Sequence, residues 1–306
     1  MLYDLIAPAK LNLFLHVVGR RADGYHLLQT VFQFISLADS LDIDTREDGQ
    51  ICRETDMTGV PHDEDLVVRA ARLLQQSTGT KQGAQLHVRK RIPSGAGLGG
   101  GSSDAATVLI ALNRLWKTGL SRAELMCLGL QLGADVPVFI FGENAFAEGV
   151  GEQLTPVDLP PQAFVVIQPA QTVPTQGIFQ APDLTRDTET VKIMDFSGRQ
   201  AITRLGFGHN DLQPVVLNHF PVVRQTLDWL EKAGYKARMT GSGSCFFIGF
   251  QSVQQAEVAN QEMLAKICID FSDTASVGVD CPASPIQALT VCESLPEHPM
   301  RYWIES

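Results

Sequence analysis

The chain has 306 residues, enough for two domains, with 44% hydrophobic and 19% charged residues and a formal net charge of −10. The acidic balance argues against a nucleic-acid partner, since binding there is driven by Lys and Arg neutralising phosphates. It leaves room for a small anionic ligand, which a few local cations and backbone amides can hold.

Residues 11–18 alternate well enough for a strand ended by Gly19. Asn12 and His16 interrupt this run and no small-residue cleavage site follows, so it does not read as a leader. Residues 20–26, with Asp23-Gly24 at the centre, form a turn, and two further strands are expected at 32–37 and 41–44. Asp65 then opens a helix whose apolar residues recur at helical spacing. A strand at 85–90 runs into a glycine loop, and a second helix follows the loop. Ser121-Arg122-Ala123-Glu124 is a capping box for a third helix, which Gly133 is placed to end. The prolines of 156–161 mark a linker. Beyond it come a strand at 163–168, a short helix at 175–179, a polar stretch at 185–190 and a helical region from Asn210 to Leu230. Strands at 236–239 and 245–250, a helix at 253–268 and a last strand at 275–279 complete the pattern. The mixture lacks regular βαβ repetition and is therefore α+β. Six scattered cysteines without a C-x-x-C pair suit free thiols in a reducing cytosol, and no segment approaches the ~20 apolar residues of a membrane span. A cytoplasmic protein with neither membrane nor nucleic-acid partner is expected.

The densest signal is Gly95-Ala96-Gly97-Leu98-Gly99-Gly100-Gly101-Ser102-Ser103, with five glycines in seven residues between a strand and a helix. Glycines let backbone amides approach an anion closely, and a helix N-terminus adds unpaired donors and a partial positive charge. Three phosphate-binding loops compete for this string. The dinucleotide fingerprint needs an acidic residue about 20 positions on, after a second parallel strand, and that stretch here is helical. A Walker A loop needs Lys after its last glycine, where Ser102 stands. A protein kinase needs an H-R-D loop downstream, and there is none.

The segment from Pro93 to Ala106 instead resembles the central motif of the GHMP small-molecule kinases. Pro8-Ala9-Lys10-Leu11-Asn12-Leu13 and Thr240-Gly241-Ser242-Gly243-Ser244 resemble the first and third motifs of that superfamily, in the same order. Within it, residues 21–26, 133–139, 147–152 and 210–212 resemble the branch that phosphorylates a cytidine-linked branched sugar alcohol on the route to isoprenoid precursors. The resemblance covers residues 7–289 and is weakest at 185–205; the tail 290–306 lies beyond it.

The resemblance implies two α+β domains with the site in the cleft between them. An N-terminal domain of ribosomal-protein-S5-domain-2 type would span 1–157. A ferredoxin-like C-terminal domain would span 158–306, its final strand near 275–279 returning to the first. It implies ATP as phosphoryl donor with Mg2+, and a monomer or homodimer. The loop residues Pro93, Gly95, Ala96, Gly97, Leu98, Gly99, Gly100, Gly101, Ser102 and Ser103 would hold ATP. Asp65 stands where the family usually has Asn, at a position associated with adenine; an ionised Asp accepts but cannot donate. By itself Asp135, between Gly133 and Pro137, reads as a helix cap, and Lys10 as a charge before a strand. The family match makes Asp135 the catalytic carboxylate and Lys10 its partner. Tyr25, His26 and Phe179 would surround the cytosine, and Asn12, Thr175, Phe32, Gly241 and Ser242 complete the acceptor site. The remaining alternatives are another GHMP kinase, of mevalonate or homoserine type, and an inactive nucleotide-binding regulator on the same fold.

Overall fold

The computed structural model describes residues 1–54, 60–192, 207–271 and 284–304. Two long antiparallel strands organise it: β1 (Leu2–Arg20) and β2 (His26–Arg46), paired from Leu2↔Ile43 to Arg20↔His26. A tight turn joins them, with Gly24 N–H donating to Arg21 O at 3.0 Å. Sequence reading splits β2 into two strands because Ala38-Asp39-Ser40 looks like a break. The strand in fact runs straight through, because the polar residue is satisfied from elsewhere. Asp39, fully buried, accepts from the amides of Arg91 and Ile92 at 2.5 and 2.8 Å and from Lys90 Nζ at 2.5 Å. β1 is also longer than expected, starting at Leu2 and passing through Gly19.

Around this ribbon the first sheet runs β3 (Ile51–Arg53), β4 (Gly83–Arg89), β2, β5 (Ala145–Glu148), β6 (Gln153–Pro156), with β1 on β2. Four helices belong with it: α1 (Leu66–Thr78), α2 (Gly100–Leu115), α3 (Arg122–Leu132) and α4 (Val136–Phe141). The expected caps are present. Asp65 accepts from Val67 N–H, and Ser121 and Glu124 close a reciprocal capping box, which satisfies donors that a helix start leaves free. Apolar faces of α1 and α2 then fill the core against Leu41, Ile43 and Leu86.

The second sheet has the order β10 (Ile286–Glu293), β7 (Ala163–Pro169), β9 (Phe246–Phe250), β8 (Arg238–Met239), antiparallel throughout. With it lie α5 (Thr175–Gln180), α6 (Leu212–His219), α7 (Pro221–Lys232) and α8 (Val253–Phe271). The single helical region expected from 210 to 230 is two helices. Phe220 leaves the helical conformation at φ −124° and ψ 90°, and Pro221, which has no N–H to continue a helix, starts the next one. The core of this layer takes Leu15 and Val17 from β1, so the ribbon serves both layers.

The strand expected at 275–279 lies outside the described residues, as does Cys281. The chain returns to the first sheet through its tail. Leu295 N–H donates to Phe34 O at 2.8 Å, and Met300 and Ile304 are buried in the first core. No described helix is long and apolar enough to cross a membrane.

Candidate active site

A cleft of about 1000 Å³ opens where β1, β2, the glycine loop, α4, α5 and the 241–242 loop converge. Gly95, Gly97 and Gly99 all have positive φ (64°, 74° and 74°), the left-handed region that a Cβ penalises. The loop is tied to β1, since Lys10 N–H donates to Leu98 O at 3.0 Å. Gly97 carries a second constraint: a Cβ there would sit 2.1 Å from the backbone oxygen of Thr240. The first and third sequence motifs therefore clamp the second by backbone contact. The cleft is lined by Gly99, Gly100, Gly101 and Ser102, where α2 begins, so the free amides of that helix start are available to an anion. Ser103 is fully buried off this surface, and its amide donates to Gly99 O.

Lys10 is the hub. Only 2% exposed, its ammonium donates to Asn12 Oδ1 at 2.6 Å and Gly97 O at 3.1 Å, and pairs with Asp135 Oδ2 at 3.2 Å. It also lies 5.4 Å from the centroid of the buried Phe32 ring. Three donors meeting three oxygens hold a buried cation without an unpaired proton. Asn12 is held in turn: its Nδ2 donates to Thr30 Oγ1 and its backbone N–H to Thr240 Oγ1, both at 2.9 Å. Its amide is thus spent on orienting Lys10. Asp135 stands at the start of α4 but makes no capping bond. One of its oxygens meets Lys10, the other has no protein partner among the described residues, and 39% of the side chain is exposed.

At the far end of the cleft Tyr25 is exposed, and the His26 and Phe179 rings lie 5.3 Å apart. Thr175 and Ser242 share a hydroxyl contact at 2.7 Å, and Gly241 O accepts from Asn210 at 2.9 Å. Apart from Ser103, every residue singled out from sequence lines this one cleft. Asp65 lines it too, but both its oxygens are engaged, one on Val67 N–H and the other on Arg53.

Three groups were given no role by the sequence reading. Thr240 links β1 to the glycine loop. Arg186, in the polar stretch, donates to His26. Under the loop, Lys90 bridges Asp39 at 2.5 Å and Asp104 at 2.7 Å. Burial pushes the Asp104 carboxyl up to about 7 against the pull of Lys90. Lys90 is itself raised, its desolvation overcome by the two carboxylates. Of Asp39, Lys90 and Asp104, only Asp104 lay within a noticed motif, and nothing in its spacing announces a partner fourteen residues back.

A glycine loop at a helix start, facing a buried lysine and a half-open carboxylate, is the arrangement of a phosphoryl-transferring kinase. The sequence agrees: residues 65–143 match the GHMP kinases N terminal domain and residues 195–266 the GHMP kinases C terminal domain. The chain is 56% identical over 305 residues to the 4-diphosphocytidyl-2-C-methyl-D-erythritol kinase of Bordetella bronchiseptica, covering 100% of this chain and 99% of that one. It is 58% identical to the enzyme of that name from Dechloromonas aromatica over 82% of this chain and 89% of that one. A crystal structure of 4-(cytidine 5'-diphospho)-2C-methyl-D-erythritol kinase superposes with a TM-score of 0.74 at 34% identity, covering 95% and 98% of the two chains. Homoserine kinase from Cytophaga hutchinsonii, at 15% identity and TM-score 0.66 over 97% and 95%, shares the fold. The chain belongs to the 4-diphosphocytidyl-2-C-methyl-D-erythritol kinases, an ATP-dependent family of small-molecule kinases within the GHMP superfamily. The Bordetella relative aligns along the whole chain, so the tail beyond residue 289 is part of the shared protein.

Proposed function

We propose that this kinase transfers the γ-phosphoryl group of ATP to the C2 hydroxyl of 4-diphosphocytidyl-2-C-methyl-D-erythritol, a step towards isoprenoid precursors. The observation that carries the reading is the Lys10–Asp135 pair at 3.2 Å beside the glycine loop, with one Asp135 oxygen left open to the cleft. Phosphoryl transfer asks for positioning and charge stabilisation more than covalent chemistry. The open oxygen of Asp135 accepts a hydrogen bond from the substrate hydroxyl, orients it towards the phosphoryl group and collects its proton as the bond forms. Lys10, fixed by Asn12 and the Gly97 carbonyl, holds Asp135 in place and faces the charge that develops on the transferred group. Mg2+ would arrive with the nucleotide, since it keeps several waters and needs few protein oxygens beyond the phosphates; Ser102 is the cleft residue suited to hold it. Its contribution is to neutralise phosphate charge.

The cytidine lies at the Tyr25, His26 and Phe179 end. An aromatic face stacks on a base for about 1–3 kcal/mol, and an imidazole reads its edge. The test is steady-state turnover of ATP with the cytidine-linked alcohol, mevalonate or homoserine, in the wild type and Asp135→Ala. Only the cytidine-linked acceptor should be phosphorylated, and Asp135→Ala should lose at least about 10²-fold in kcat. Near-normal turnover by the variant would overturn the role given to Asp135.

A further inference from the structure

Arg186 lies in the sequence between α5 and α6, in a stretch with no motif of its own. Its guanidinium is nevertheless committed on every side. Nη1 donates to Leu184 O at 2.9 Å, and Nη2 to Ala181 O at 2.7 Å and Phe179 O at 3.3 Å. Nε–H donates to His26 Nε2 at 3.0 Å, across 160 residues of sequence. One side chain thus holds the carbonyl end of the helix carrying Phe179 and also one nitrogen of His26.

A guanidinium has donors and no acceptor, and stays charged throughout the physiological range. The nitrogen receiving its proton must therefore be the bare, accepting nitrogen of a neutral imidazole. The ring proton is left on Nδ1, which has no protein partner among the described residues, and His26 lines the cleft. We propose that Arg186 is the positioning residue that sets base specificity: by occupying His26 Nε2 it fixes the Nδ1–H tautomer, so that the site offers a hydrogen-bond donor to the edge of the base. The proposal rests on the reading that a pyrimidine nucleotide occupies this end of the cleft. The ring environment agrees with it, since burial first, then the charges of Arg186 and Arg20, lower the His26 pKa and keep the ring neutral.

The chemistry selects between pyrimidines. Cytosine presents an acceptor at N3 where uracil carries an N–H. A donor fixed opposite that position pairs with cytosine and meets uracil donor to donor, leaving two protons unpaired. A histidine free to exchange tautomers could instead turn a bare Nδ1 to the uracil N–H and accept from it, and so would not discriminate in this way.

Two measurements test this. In the nucleotide-free protein, long-range proton–nitrogen NMR of 15N-histidine-labelled protein reads the tautomer of His26 directly. Wild type should show Nδ1–H with an unprotonated Nε2, and Arg186→Met should show mixed tautomers with the titration moved up towards the usual 6.5. Calorimetry should then find CDP bound at least about 10-fold more tightly than UDP by wild type. In Arg186→Met that ratio should fall towards one, while kcat at saturating cytidine-linked substrate changes little and KM rises. An Nε2–H tautomer in wild type, or full CDP preference retained by Arg186→Met, would overturn the proposal. Should Arg186→Met not fold, the wild-type tautomer alone decides. If wild type bound neither nucleotide, the cytidine reading would fall and base selection with it. The tautomer measurement, made without nucleotide, would still accept or reject the Arg186–His26 arrangement.

Discussion

Gly97→Ala isolates the clamp between the loops. The added Cβ would meet Thr240 O at 2.1 Å, more than 1 Å inside ordinary contact, and that atom is backbone, so it cannot rotate away. The residue also sits at φ +74°, where a Cβ costs about 1–2 kcal/mol. Relieving the overlap separates the loops and strains three hydrogen bonds: Lys10 Nζ to Gly97 O at 3.1 Å, Thr240 Oγ1 to Gly97 O at 3.3 Å and Cys245 N–H to Ala96 O at 3.2 Å. At roughly 0.5–1.5 kcal/mol each, the whole loss comes to about 2.5–6.5 kcal/mol, a large part of the stability of an ordinary domain. Across 306 residues each kcal/mol moves the melting midpoint by about 1.6 °C, so it should fall by about 4–10 °C. Gly101→Ala is the control. Its φ is not positive, its Cβ would meet only Leu66 Cδ1 at 3.3 Å, and it lies in the first turn of α2. That variant should melt like wild type and show its defect only in ATP affinity. Thermal melts with and without ATP separate the two. Equal midpoints for Gly97→Ala and wild type would refute the reasoning.

Burial lifts the Asp104 carboxyl to about 7 from the usual 3.8, so its protonated form is favoured in the folded state. That contribution is complete below about 3.8 and is lost as pH rises through about 7. Asp104→Asn should therefore gain on wild type in urea midpoint between about pH 5 and about pH 8; a gap that does not change with pH would count against the cluster. Ending the chain after His298 removes Met300 and Ile304 from the first core, worth about 1.5–3 kcal/mol each, and takes the Arg301 O acceptor at 2.7 Å from Arg122 Nη2, leaving Nη1 on Ile140 O and Phe141 O. The urea midpoint should drop accordingly; an unchanged midpoint would show the tail to be dispensable.

What could be read from sequence was what is local. The glycine loop, the Ser121 capping box, the Asp65 cap and the Asp23-Gly24 turn each declare themselves within a few residues, because the bonds that justify them close over that span. Asp39 misled for the opposite reason. A polar residue in mid-strand looks like a break until Lys90 and the amides of Arg91 and Ile92 arrive from fifty residues away. Gly97 was legible as a glycine that something must approach, yet what approaches it in the structure is the Thr240 backbone. Asp135 reads as a helix cap by spacing; its missing capping bond and its contact with Lys10 are tertiary facts. Arg186 had no signal, since its partner His26 lies in the opening turn of the chain.

The β1–β2 ribbon, which gives Leu5 and Ala7 to one core and Leu15 and Val17 to the other, makes the two layers inseparable. Lys10 and Asn12, beside the glycine loop, and His26, at the end proposed for the base, ride on the same pair of strands. On the proposed placement, the spacing between the phosphoryl donor and the nucleoside of the acceptor is therefore set by strand pairing. A flexible connection would let the two ends drift; a shared ladder makes them one measuring frame, to which a substrate of the wrong length cannot adjust.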